Sequence, residues 1–286
     1  MKKPVKIGVN FHKDIKVELI ALLKEFKEIF AWSYQDMPGL DTEIIVHRIP
    51  VKTECRLVQQ ALWRMKSEIV LKIKEEVEKQ LKASFLTTIA YLDWVTNIVP
   101  MLKKDGKVHM CVDYRDLNWA SPKDNFPLPH INTLIDNTTT NMFFSFMDGF
   151  SGYNQIKMAK EDKAKITFTI HWGTYAYDVM PFSLKNTGAT YQRATVTLLH
   201  GMMHKEIVVY VDDMIAKSCT STNHLINLRK LFKHLIKYRM RQNPNKCVFE
   251  ASLGKLLGII VSQRGIEVDL AKVQAIRDMP TLQTKK

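Results

Sequence analysis

The stretch Ile207 to Ser218, IVVYVDDMIAKS, constrains the fold more than any other segment. An apolar, largely β-branched run enters two adjacent aspartates, and an apolar run resumes directly after them. Neighbouring carboxylates repel, and a strand sends successive side chains to opposite faces, so the pair cannot be buried on one face without help. A hairpin resolves the conflict: Val208 to Val211 form the incoming strand, Asp212 and Asp213 the turn, and Met214 to Ala216 the return. At such a tip the carboxylates can accept a divalent cation, whose charge removes the repulsion. An ordinary solvated turn accounts for the same residues taken alone, because aspartate is a common turn residue. A third carboxylate brought beside the pair separates the two readings.

NMFFSFMDGFSGYNQIKM supplies one: an aromatic, apolar strand ends in Asp148 and is followed by Gly149, Ser151 and Gly152. If this strand and the hairpin lie side by side in one sheet, Asp148 and Asp212 can hold two Mg²⁺ ions. These would clamp the attacking and leaving oxygens of an in-line displacement, the chemistry of phosphoryl or nucleotidyl transfer. Three acids could equally direct water at a phosphodiester, so a metal-dependent nuclease stays open here.

The partner is polyanionic on charge grounds. The 286 residues carry a net charge of +13 with a pI near 9.5, and their lysines and arginines are spread along the chain. That balance points to nucleic acid first and an anionic membrane surface second, with generic basicity as the plain alternative. No stretch approaches the roughly 20 apolar residues of a membrane span, and MKKPVKIGVN lacks the apolar core of a signal peptide. An intracellular protein with no membrane partner is expected. Cys55, Cys111, Cys219 and Cys247 have no CxxC spacing and fit reduced thiols. His200 and His204 share helical spacing, but the intervening Gly201 and the lack of a local acid argue against a metal site.

The remaining elements order as helices among antiparallel hairpins, an α+β pattern without regular βα alternation. Leu19, Leu22, Leu23, Phe26, Ile29 and Phe30 mark one face of a leader helix, and Ile69, Ile73, Val77 and Leu81 mark a second helix. Asp105-Gly106 is a hairpin signal that crowds Lys103, Lys104 and Lys107 at a loop tip suited to phosphates, or merely to solubility. SPKDNFPLPHINTLID admits a short helix only after Pro129. Further turns are expected at Trp172-Gly173, Leu253-Gly254 and Arg264-Gly265, and a helix is expected to begin between Thr187 and Thr190.

CVDYRDLN, NFPLPHI, FMDGFSGYNQI, VMPFSLKNTGATYQR, YVDDMIAKS and KLLGIIVSQRGI, in that order, resemble the successive motifs of reverse transcriptases from gypsy-type LTR retrotransposons. The likeness runs from about Trp94 to Met279, and Ala21 to Leu40 is similar to the region preceding the polymerase in plant elements of this type. The resemblance implies a right-hand polymerase with fingers, an antiparallel palm sheet and only the start of a thumb. The implied divisions are a leader or linker at 1–45, fingers at 46–122 and 156–188, palm at 123–155 and 189–265, and a truncated thumb at 266–286.

It also implies an RNA or DNA template with a primer, dNTPs and two Mg²⁺ ions, with Mn²⁺ able to substitute. Asp148, Asp212 and Asp213 would be the catalytic, metal-holding carboxylates, joined by the Gly149 carbonyl. Tyr153 would lie beneath the incoming sugar and exclude a 2′-hydroxyl. Lys103, Lys104, Lys107, His109, Phe182 and Gln192 would surround the dNTP, and Leu257 and Gly258 would grip the primer. Tyr153 and Phe182 also fit as plain core aromatics.

Two positions depart from the family pattern. His109 stands where an arginine usually pairs with the triphosphate, and a neutral imidazole replaces a permanent bidentate cation. Ser183 stands where the pattern has glycine. With these changes and few thumb residues, weak processivity is expected, unless a second subunit or further polyprotein segments complete the grip. A catalytically inactive, nucleic-acid-binding remnant is the competing expectation. The compartment expected is a cytoplasmic particle, the nucleus, or both.

Overall fold

The computed structural model describes residues 4–8, 13–90, 92, 94–102, 108–138, 141–256, 259–262 and 264–279. Its centre is a five-stranded sheet in the order Lys6–Ile7, Val248–Ala251, Phe143–Asp148, Asp213–Ser218, Ile207–Tyr210. All neighbours are antiparallel except the first pair. Both faces are covered, which is why FFSFM and IVVY read as continuous apolar runs instead of alternating ones. Met147, Met214, Ala216, Ile207 and Val209 belong to the main core. Phe144, Phe146, Ile215 and Val208 join Leu134, Ala251 and Val261 in a smaller cluster on the other side.

The helix Ser221–Lys237 closes the main-core side with Leu228, Leu231, Phe232 and Leu235, all fully buried. Thr220 caps it by accepting a hydrogen bond from the Asn223 N–H. His234 and Lys237 in its last turn suit the negative end of the helix dipole.

The segment before residue 46, expected as a leader or linker, is woven into this core. Lys6–Ile7 adds an edge strand parallel to Val248–Ala251. The helix Lys13–Glu25 packs on Ser221–Lys237, with the Phe26 and Phe232 rings 5.7 Å apart. Its apolar face continues past the helix end in a 3₁₀ turn, Lys27–Ile29, so the predicted stripe is real although the helix is shorter than its periodicity.

A second layer holds the antiparallel pair Ile98–Leu102 and Val108–Val112, as the Asp-Gly signal predicts. The tip residues Lys103, Lys104 and Lys107 lie outside the described residues. Leu86–Thr88, Gly173–Tyr177 and Thr167–Ile170 form a further sheet under the helix Ser67–Lys82. Its turn is His171-Trp172, one residue before the expected place, because Ile170 pairs with Gly173.

The expected turn at Leu253-Gly254 is absent: both residues belong to the strand Leu253–Leu256. Gly254 serves a close approach instead, since a Cβ there would meet Phe146 Cε2 at 2.1 Å. The helix Leu270–Arg277 follows and buries none of its residues. Among the described residues no helix is long and apolar enough to cross a membrane.

Candidate active site

The sheet brings the three aspartates together. Asp148 ends its strand, and Asp213 stands opposite it in register on the adjacent strand, so both side chains leave the sheet on the same face. The turn differs from expectation. Tyr210 pairs with Asp213, which leaves Val211 and Asp212 as the two-residue loop and makes Asp213 the first residue of the return strand. Such a loop requires positive φ at its first central position, and Val211 supplies it at +53°. A β-branched residue held there stores about 1–3 kcal/mol of strain.

Gln192 offsets that strain. Its Oε1 accepts the Val211 N–H at 2.6 Å and its Nε2 donates to the Val209 carbonyl at 3.4 Å. Expected in the dNTP pocket, Gln192 is instead 0 % exposed beneath the hairpin, where its amide replaces the ladder partners that a turn leaves unmet.

The chain after Asp148 wraps around Asp212. The Gly149 N–H donates to the Asp212 carbonyl at 2.9 Å, and Ser151 takes a left-handed φ of +48°. A Cβ at Gly152 would lie 2.7 Å from the Asp212 Cβ, so only glycine admits this approach.

Burial, then the neighbouring carboxylates, push Asp213 up to about 6. Asp212 is raised by burial and by Asp148. Lys246 answers the charge: its Nζ donates to both Asp148 oxygens, at 2.9 and 3.1 Å. Burial pulls the Lys246 ammonium down, but its bonds to Asp148 and the field of all three aspartates outweigh burial and hold it above its ordinary value.

Sequence reasoning missed Lys246, because only the pairing of Val248 with Phe146 brings the chain just before that strand alongside Asp148.

Beside the carboxylates lies an aromatic wall. Tyr153 and Phe182 have ring centroids 5.1 Å apart, Phe182 and His109 5.9 Å, and Tyr153 and Tyr191 5.9 Å. Burial and then Asp212 raise the Tyr153 phenol. His109 and Phe182 also line a cleft of about 30 Å³ with Tyr34, Ser151 and Asn154.

Ser183 adopts φ +76°, the backbone that the glycine of the family pattern would take without cost. Its carbonyl accepts from Asn118 Nδ2 at 2.8 Å, while Asn118 Oδ1 accepts the Lys185 N–H at 2.7 Å, so the strained turn is tied at both ends.

Leu257 and Gly258 fall outside the described residues. The helix expected to carry His200 and His204 ends at Leu199, and His204 is turned by a φ of +63° toward Asn137. The cysteines are free thiols.

The donor chemistry suits a hard divalent cation: adjoining carboxylate oxygens, mutually destabilised and answered by one ammonium. Among the described residues, no group of three or more His, Cys, Asp or Glu side chains is gathered closely enough to hold a metal as it stands. Lys246 lies on both oxygens of the Asp148 carboxylate, so an ion held by that carboxylate would share it with, or displace, the ammonium.

A family profile described as "Reverse transcriptase (RNA-dependent DNA polymerase)" matches residues 101–261. The chain is 32 % identical over 187 residues to the retrovirus-related Pol polyprotein from transposon 297 of Drosophila melanogaster, covering 65 % of this chain and 18 % of that protein. It is 30 % identical over 224 residues to the Pol polyprotein from transposon gypsy of the same organism, covering 69 % and 22 %. For the Pol polyprotein from transposon opus it is 30 % identical over 279 residues, covering 94 % and 27 %. The chain thus spans about a quarter or less of the length of these curated relatives.

Among solved structures, the foamy viral protease-reverse transcriptase in complex with dsDNA superposes with a TM-score of 0.86 at 22 % identity, covering 96 % of this chain and 56 % of that one. The same viral protein in complex with an RNA/DNA hybrid gives 0.86 at 21 %, covering 98 % and 39 %.

Proposed function

This chain belongs to the reverse transcriptase (RNA-dependent DNA polymerase) family, and from that premise we propose that it catalyses RNA-directed DNA synthesis as part of a retrotransposon Pol polyprotein. The observation that carries the reading is Asp213 in register with Asp148, with Asp212 in the intervening turn and an aromatic wall beside them. The gypsy and opus relatives support the gypsy-type assignment.

In this reading Asp148, Asp212, Asp213 and the Gly149 carbonyl hold two Mg²⁺ ions, for which Mn²⁺ can substitute. Bound there, the ions supply charge neutralisation to the displacement at the α-phosphate. The protein contributes position. The Tyr153 ring, fixed between Phe182 and Tyr191, supports the sugar and leaves no room for a 2′-hydroxyl. Phe182 and His109 bound the nucleotide, and Lys103, Lys104 and Lys107 meet its triphosphate. Leu257 and Gly258 grip the primer.

Nucleic acid is the partner by charge and by kinship of fold. The net charge of +13 favours phosphate backbones, and the viral structural neighbours are complexes with dsDNA and with an RNA/DNA hybrid. Residues 46–122 and 156–188 then act as fingers, 123–155 and 189–265 as palm together with the segment before 46, and 266–286 as the opening of the thumb.

A second reading, an inactive nucleic-acid-binding remnant, draws on the Lys246 ammonium that occupies the Asp148 carboxylate, and on the family resemblance, by which His109 stands where an arginine is expected. Single-nucleotide extension of a labelled primer on an RNA template, with Mg²⁺ or Mn²⁺, separates the two. Incorporation that Asp212→Asn abolishes supports the polymerase; binding of primer–template without incorporation supports the remnant.

A further inference from the structure

The hydroxyl of Tyr191 has no use in the fold. The side chain is 1 % exposed, on the helix Thr187–Leu199, and its ring packs edge-on against Tyr153. A phenylalanine would fill the same space. Yet the Oη has no hydrogen-bond partner among the described residues, and a buried hydroxyl without one destabilises the folded chain.

The place where that oxygen sits is informative. A point one Cβ bond out from Gly149 lies 3.1 Å from the Tyr191 Oη and 3.4 Å from the Asp212 Cβ. The phenol therefore lies beside the residue after Asp148 and near the base of Asp212, at the floor of the carboxylate site. Burial, then Asp212 and Asp148, raise its ionisation, so it stays a neutral phenol, able to accept a hydrogen bond from a water or to donate one. The charge here is unbalanced: among the described residues, three carboxylates face one ammonium, that of Lys246. A hard divalent cation drawn to such a site keeps several of its waters, and those waters need acceptors and donors around them.

We infer that Tyr191 is a positioning residue whose hydroxyl hydrogen-bonds a water in the coordination shell of the divalent cation held by Asp148 and Asp212. The inference rests on the reading of those aspartates as a cation site. It gives the otherwise unpaired hydroxyl its partner, and it fixes the water on the side of the site that the helix Thr187–Leu199 walls off. Groups that orient a metal's ligands from outside typically change affinity 10- to 100-fold when removed.

The test uses the full chain and Mn²⁺ alone, with free Mn²⁺ counted by electron paramagnetic resonance. Wild type, Tyr191→Phe and Asp212→Asn are compared, and thermal midpoints are measured in EDTA. Tyr191→Phe is expected to bind Mn²⁺ about tenfold more weakly, with an EDTA midpoint equal to or above wild type and unchanged affinity for primer–template. In single-nucleotide incorporation the Mn²⁺ concentration at half-maximal rate should rise by the same factor.

Unaltered Mn²⁺ affinity in Tyr191→Phe overturns the inference while leaving the cation site standing. An EDTA midpoint that falls in Tyr191→Phe overturns it too, because the hydroxyl then has a structural partner. Failure of wild type to bind any Mn²⁺ that Asp212→Asn loses overturns the cation reading and this inference together.

Discussion

Gly152→Ala is the smallest change that should disable this site. Gly152 does not lie in the left-handed region, so alanine costs it nothing in backbone conformation, and the effect is purely steric. The new methyl would stand 2.7 Å from the Asp212 Cβ, and also 3.2 Å from Oδ2 and 3.3 Å from Cγ. A Cβ is anchored to its backbone and cannot swing aside as the far end of a side chain can. Opening 2.7 Å to the 3.4 Å at which ordinary contact begins requires the hairpin tip or the 149–152 turn to move by about 0.7 Å.

Both are already constrained, at Val211 and at Ser151, by positive φ and by the Gln192 bonds. Misplacement of reacting groups by about 1 Å can cost on the order of 100-fold in rate. A shift somewhat smaller should lower single-turnover incorporation by roughly 10- to 100-fold, or about 1.4–2.7 kcal/mol in the barrier. The assay is rapid-quench addition of one nucleotide at saturating cation, with primer–template affinity measured in parallel. Gly201→Ala serves as the control, since a Cβ there meets nothing within 4 Å. A folded Gly152→Ala protein whose rate stays within twofold of wild type would refute the steric argument.

Gln192→Leu should cost about 1–3 kcal/mol in chemical denaturation, because the buried Val211 N–H loses its acceptor, and should slow incorporation without changing duplex affinity. Ser183→Gly should raise stability by about 1 kcal/mol by relieving the left-handed φ, read as a higher denaturation midpoint. Asp213, held near 6, and Glu250, pushed by burial to about 7, both have folded-state values above their unfolded ones. The folded chain therefore binds their protons more tightly and gains stability from them as pH falls from 7 toward 5, while His47 and His224, both held by burial down to about 4, lose stability over the same window and offset that gain. In EDTA the thermal midpoint of Asp213→Asn with Glu250→Gln should therefore fall more steeply than that of wild type from pH 7 to pH 5, and parallel pH profiles for the two proteins contradict the assignment.

The aspartate pair between apolar runs, the strand ending in Asp148, and the Asp-Gly hairpin were legible because each rests on local chemistry: alternation, β-branching and turn preference. The sequence by itself determined the order of these pieces, the net positive charge and the departures at His109 and Ser183. It could not determine register. Whether Asp213 belongs to the turn or to the return strand depends on Tyr210 pairing with it, and that pairing depends on Gln192, a residue distant in sequence that holds Val211 in an unfavourable conformation.

Lys246 was invisible for the same reason, since only the pairing of the strand that follows it, Val248–Ala251, with Phe143–Asp148 carries it to Asp148. Gly254 looks like a turn until Phe146 is seen lying over it, and residues 1–45 look like a leader or linker until the helix Lys13–Glu25 and Phe26 meet the helix Ser221–Lys237. Local patterns report what a segment prefers. Which charges meet, which glycine must stay bare and which hydroxyl is left without a partner were decided by contacts between segments far apart in the chain, and those exist only in the tertiary structure.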